Sequence, residues 1–183
     1  MIADMGEALL IIDFQNDFTP GGALAVREGD TIADRINELA TSGRYDLVIA
    51  TRDWHPADHG SFVARGGPWP VHCVADTPGA QLHPALNQAA IHKIIDKGSD
   101  PTTEGYSAFE GTDLAQLLHD RGITKVTVVG LATDYCVKNS ALDALHEGFE
   151  VEIDTEAVRA VNVHPGDDER AIEEMLAAGA TRV

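Results

Sequence analysis

Short apolar runs alternate with longer amphipathic ones along this chain. "ALLIIDF" (8–14), "DLVIATRD" (46–53), "HKIIDKG" (92–98), "KVTVVGLA" (125–132) and "FEVEIDTEAV" (149–158) are rich in Val, Ile and Leu, which predicts strands. Between them, "DTIADRINELATSG" (30–43), "GTDLAQLLHDRG" (111–122), "NSALDALHEGF" (139–149) and "GDDERAIEEMLAAGA" (166–180) space their apolar side chains as helices do and stop at or near glycine. Strands that alternate with helices predict parallel pairing through right-handed crossovers, hence a layered α/β sheet. No repeat or linker divides the chain, so residues 1–183 are expected to form a single domain.

Two stretches break the alternation. Residues 54–81, "WHPADHGSFVARGGPWPVHCVADTPGAQ", are dense in Pro, Gly, His and aromatics, and residues 99–110, "SDPTTEGYSAFE", are irregular too. Each follows a predicted strand end, where an open parallel sheet binds its ligands. On the same reading Asp13 ends the first strand, Asp53 the second and Lys97 the third, while Cys136 sits just past the fourth. Four reactive side chains therefore converge on one rim.

Composition narrows the setting. The content of 44% hydrophobic and 23% charged residues is that of an ordinary globular protein. A net charge of −17 with no basic patch argues against nucleic acid as a partner. No run approaches the roughly 18 apolar residues of a membrane span, and "MIADMGEALLIIDFQ" lacks a leader's basic start and cleavage site. With two cysteines, Cys73 and Cys136, and no disulfide pattern, free thiols and a cytoplasmic location are expected. Cys73 is expected to be packing.

The chemistry centres on Cys136. A cysteine at a helix N-terminus feels the positive end of the macrodipole, and an ammonium such as Lys97 nearby would lower its pKa further. A carboxylate such as Asp13 could accept the thiol proton, completing an activated nucleophile for acyl transfer. Backbone N–H groups of the "GLATDYC" turn would point toward the oxyanion formed on attack. Asp53 and His55, two apart in an extended segment, point the same way and can share a ligand site. His72 in "WPVHC" is a candidate third ligand, and three protein donors leave the open positions a catalytic metal needs.

Together these residues resemble the nicotinamidase branch of the isochorismatase-like cysteine hydrolases. The motifs "DFQNDF", "TRDWHPADHGSF", "WPVHC", "KGSDPTTEGYSAF" and "VVGLATDYCVKNSALDAL" carry the likeness, in this order, through almost the whole chain. The resemblance implies a three-layer fold with a six-stranded, mostly parallel sheet and helices on both faces. It implies Asp13, Lys97 and Cys136 as a catalytic triad, and Asp53, His55 and His72 as ligands of one divalent metal. Zinc heads that expectation, with iron and manganese also suited to a carboxylate and two imidazoles. It further implies a cis peptide at Leu131–Ala132 and an oxyanion hole from the N–H groups of Ala132 and Cys136. Phe14 and Trp69 would flank a pyridine substrate, nicotinamide, with Tyr106 also lining the pocket. His59 is expected to order its loop and not to bind the metal.

Other members of the superfamily cleave carbamoyl or ureido substrates with the same triad, but the resemblance implies that they lack the "DWH" and "WPVHC" metal set. Isochorismatases proper lack the cysteine, and a sensor without catalysis has no need of all three triad groups. Members range from monomers to larger assemblies, so a homo-oligomer is compatible with the sequence.

Overall fold

The computed structural model describes residues 5–183; the first four, which open the stretch read above for a leader, lie outside them. Six strands form one parallel sheet in the order β3-β2-β1-β4-β5-β6. They are β1 (Gly6–Ile12), β2 (Leu47–Asp53), β3 (Lys93–Lys97), β4 (Ile123–Leu131), β5 (Glu150–Arg159) and β6 (Thr181–Arg182). The helices are α1 (Ala33–Ala40), α2 (Leu114–Asp120), α3 (Lys138–His146) and α4 (Asp167–Ala178). This is the three-layer α/β arrangement expected from the sequence.

Central β1 explains how the layers hold. Its residues from Ala8 to Ile12 are fully buried, and the period of two sends alternate side chains to opposite faces. Ala8, Leu10 and Ile12 join a cluster with Leu114 and Leu118 of α2, Ala141 and Ala144 of α3, and Met175 of α4. Leu9 and Ile11 join the other, with Ala33, Ile36 and Leu39 of α1. Each Leu or Ile so buried contributes about 1.5–3 kcal/mol toward holding the helices on the sheet.

The pattern predicts five strands, and the structure adds β6, two exposed residues paired beside Glu152 and Ile153 of β5. The predicted helix over 30–43 begins as a 3₁₀ turn, Gly29–Ile32, before α1. Before α3, the chain makes a π-helical turn, Thr133–Val137. No helix among the described residues is long and apolar enough to cross a membrane.

The strand order reverses between β1 and β4, which opens a crevice beyond their carboxyl ends. Gly130 keeps β1 and β4 close there. Its φ is 112°, and a Cβ would fall on the backbone of Ile12, so only glycine fits. The following peptide, Leu131–Ala132, is cis.

Candidate active site

The crevice gathers the residues singled out at the four strand ends. Asp13 follows β1 with φ 47°, a left-handed conformation that costs a non-glycine residue about 1–3 kcal/mol. Thr51 of β2 holds it there: the Asp13 N–H donates to the Thr51 carbonyl (3.2 Å), and the Thr51 hydroxyl donates to Asp13 Oδ1 (2.7 Å). Lys97, at the end of β3, is 1% exposed and is the hub of the site. Its Nζ donates to Asp53 Oδ1 (2.6 Å) and the Gly105 carbonyl (2.8 Å), and reaches Cys136 Sγ at 3.5 Å. It also lies 2.8 Å from Asp13 Oδ2. That oxygen has no aligned hydrogen-bond donor, so it retains capacity to accept a proton. Donor atoms of Asp13, Asp53 and Cys136 fall within 4.8 Å of one another, and the Lys97 ammonium already supplies the cation among them.

Burial and charge push these groups apart in acidity. Burial pulls the Lys97 ammonium toward neutrality, but Asp13 and Asp53 outweigh it and hold it charged. Burial pushes Asp53 up, yet Lys97 and His55 more than reverse this, and it remains an anion well below the usual carboxylate range. Asp13 ends above its ordinary value: burial raises it, and Lys97 only partly offsets that. Of the two carboxylates, Asp13 is therefore the better base.

The thiol corrects one expectation. A lowered Cys136 pKa was predicted from the helix dipole and Lys97, but burial pushes it well above the ordinary thiol value. Lys97 opposes that rise; Asp13 and Asp53 reinforce it. Cys136 lies within the π-helical turn ahead of α3 and is 5% exposed. The arrangement suits proton removal during attack, with Asp13 beside the sulfur.

Asp53 also faces a second cluster. Its Oδ2 lies 3.3 Å from His55 Nε2 and 3.9 Å from His72 Nε2, and all three residues are buried. His55 Nδ1 donates to the Gly98 carbonyl (2.7 Å) and His72 Nδ1 to the Pro70 carbonyl (2.8 Å). A carbonyl only accepts, so both ring protons sit on Nδ1 and both Nε2 lone pairs point inward. Burial keeps His72 below its ordinary pKa; it pulls His55 down too, but Asp53 and the Gly98 carbonyl outweigh that and raise it. One carboxylate and two convergent lone pairs fit a divalent metal. Gly98 makes the approach possible: at φ 68°, a Cβ there would stand 2.6 Å from His55 Cε1.

Loop 54–81 is irregular but firmly sewn. His55 donates its N–H to the Cys73 carbonyl (2.9 Å) and accepts from Ala75 (2.8 Å), which brings the His72 segment alongside. His59 orders its loop through Ser61: Nδ1 lies 2.7 Å from Ser61 Oγ and accepts the Ser61 N–H at 3.2 Å. Its Nε2 is buried without a hydrogen-bond partner. Its ring stacks on His55 at 3.9 Å. Cys73 is fully buried in an apolar cluster, as expected of packing.

A cavity opens onto both groups. Trp69 and Tyr106 line it, with the Trp69 indole N–H donating to the Tyr106 hydroxyl (3.0 Å). Ala132, Val161, His72, Asp53 and Cys136 also face it. Phe14 does not: it is fully buried, with its ring edge-on to His83. Phe18 takes its place, because the 3₁₀ turn Asn16–Phe18 folds the chain back over the site, tilting that ring against His72. Tyr135, unanticipated, packs against Trp69 and Tyr106. Also unanticipated is Gln15, fully buried, whose amide brackets Asp53: Oε1 accepts the Asp53 N–H (2.9 Å), and Nε2 donates to the Asp53 carbonyl (2.8 Å).

Known proteins share this fold. A nicotinamidase of Escherichia coli is 46% identical, over 95% of this chain and 92% of its own length. The crystal structure of a pyrazinamidase of Pyrococcus horikoshii in complex with zinc matches with a TM-score of 0.89 at 49% identity, covering 97% of this chain and 98% of that one. PnC1 from L. infantum, in complex with nicotinate, gives 0.93 at 39% identity over 98% and 92%. The family description that matches residues 7–183 is the isochorismatase domain. The chain belongs to the isochorismatase family.

Proposed function

We propose that this chain hydrolyses nicotinamide to nicotinate and ammonia through a thioester on Cys136. The observation that carries this reading is the Lys97 ammonium, 3.5 Å from the Cys136 sulfur, 2.8 Å from Asp13 and 2.6 Å from Asp53. It ties the thiol and its base to the residue that opens the metal cluster. The E. coli relative is named a nicotinamidase, and the L. infantum structure holds nicotinate.

Asp53, His55 and His72 would hold the ion. We take it to be zinc, which suits this donor set and accompanies the P. horikoshii relative. When bound, it supplies a Lewis-acid anchor for the pyridine nitrogen, which fixes the carboxamide over the thiol. Trp69 and Phe18 confine the ring. Asp13 Oδ2 takes the Cys136 proton as the sulfur attacks the carboxamide carbon, and Lys97 stabilises the thiolate as it forms. The N–H groups of Ala132 and Cys136 receive the oxyanion; each such donor is worth about 3–4 kcal/mol. Asp13 returns the proton to the departing amine, ammonia leaves, and Asp13 then deprotonates the water that cleaves the thioester. Burial raises both the Asp13 carboxyl and the Cys136 thiol, and Lys97 opposes the rise in each.

Two buried free thiols support a reducing compartment, and we place the reaction in the cytoplasm. The test is to incubate the metal-loaded protein with nicotinamide and measure both products. Equal amounts of ammonia and nicotinate are expected. Ammonia from a carbamoyl substrate, with none from nicotinamide, would replace this reading with the superfamily alternative.

A further inference from the structure

Asp134 lies between Ala132 and Cys136, in the π-helical turn Thr133–Val137, and is buried. Its carboxylate does not face the thiol cluster. One oxygen accepts the N–H of Val161 (3.0 Å), and the other accepts the N–H of Asn162 (2.9 Å). These two successive donors belong to the segment between β5 and α4, and no other acceptor takes them among the described residues. Asn162 has φ 52°, so the backbone there forms a concave pair of N–H groups of the kind that binds an anion. Here the anion is a side chain of the protein itself. Asn162 continues the connection, its side-chain oxygen accepting the N–H of Asp168 in α4 (2.9 Å).

Both ends of this clamp touch the reaction. On one side is the turn that carries Cys136 and begins at Ala132, whose carbonyl accepts the N–H groups of Tyr135 and Val137 (3.1 Å each). On the other is Val161, part of the cavity wall. We infer that Asp134 is a positioning residue that locks the nucleophile turn to the substrate wall, fixing the oxyanion donors and the ring pocket in one register. This rests on the amide hydrolysis proposed above. The clamp predicts a particular pattern of loss. Removing the carboxylate leaves Asp13, Lys97, Asp53, His55 and His72 where they are, so the thiol and the metal cluster survive while the placement of substrate against them degrades.

The experiment compares wild type, Asp134→Ala and Asp134→Asn, each metal-loaded. The readouts are kcat and KM for nicotinamide, iodoacetamide labelling of Cys136, metal content, and amide hydrogen exchange over residues 160–163. For Asp134→Ala we expect lost protection at Val161 and Asn162, and a fall in kcat/KM of roughly 10²-fold with kcat lowered and KM raised. Labelling and metal content should match wild type. Asp134→Asn keeps one acceptor oxygen and should fall between. Unchanged kinetics, or protection retained in the alanine variant, overturns the inference. So does parallel loss of labelling, metal and activity in both variants, which would mark general damage. If wild type itself releases no ammonia from nicotinamide, the proposed reaction fails, while the exchange data still decide whether Asp134 holds the segment.

Discussion

Lys97→Met removes the one cation that two buried carboxylates share, while keeping most of the side chain's volume. Nζ lies 2.6 Å from Asp53 and 2.8 Å from Asp13, and both carboxylates are almost wholly inaccessible to water. Breaking a buried ion pair by removing one partner costs about 3–5 kcal/mol. At about 2–4 °C per kcal/mol for a chain of this length, melting should fall by roughly 6–20 °C near pH 8. The deficit must depend on pH. Without the ammonium, burial and the Asp53 charge raise Asp13 against the weaker pull of its Cys136 hydrogen bond, and burial raises Asp53 against His55 and His72, so both folded-state values move upward from where Lys97 holds them. A carboxyl raised on folding favours the fold below its unfolded value and opposes it as pH rises. The deficit should therefore be largest toward about pH 8 and narrow as pH falls toward about 4.5, without vanishing there, because wild-type Asp53 is still ionised and paired. Thermal melts of both proteins in chelator, at both pH values, read this directly. A deficit under about 2 °C at pH 8, or one that does not change with pH, would refute the shared-cation account.

His72→Ala removes one inward lone pair; metal content should drop and KM rise, as plasma emission spectrometry and steady-state kinetics will show, and unchanged values would exclude His72 as a ligand. Gln15→Ala strands the Asp53 N–H and carbonyl in the interior, at about 1–3 kcal/mol for each unsatisfied group, so both melting temperature and metal affinity should fall. Iodoacetamide should label Cys136, which faces the cavity, well before Cys73, which is fully buried. Because burial raises the Cys136 pKa, labelling of the free protein should keep accelerating above pH 8.5, the usual thiol value being about 8.5; a plateau below neutrality would show a preformed thiolate.

The strands that build the frame were legible because β1, β2 and β4 are buried on both faces and their apolar runs are nearly continuous. β6 was not, since two exposed residues carry no periodicity. Asp13, Asp53, Lys97 and Cys136 could be placed on one rim because strand ends are easy to locate and a parallel sheet brings them together. The choice between Phe14 and Phe18 could not be read in the same way. "DFQNDF" offers two rings four apart, and only the left-handed turn at Asp13 and the 3₁₀ turn after it decide which one faces the cavity. Gln15 and Asp134 escaped notice because they act on backbone N–H and carbonyl groups, whose positions depend on loops without a repeating pattern. The thiol's acidity was misread for a related reason. Proximity to Lys97 was inferable from strand order, but the depth of burial that outweighs it was not.

The most direct measurement pairs the wild-type protein with Cys136→Ala, both metal-loaded, and follows ammonia release together with nicotinamide binding by calorimetry. The account predicts that the variant still binds nicotinamide and releases no ammonia above background. Turnover by the variant at a rate comparable to wild type would contradict it.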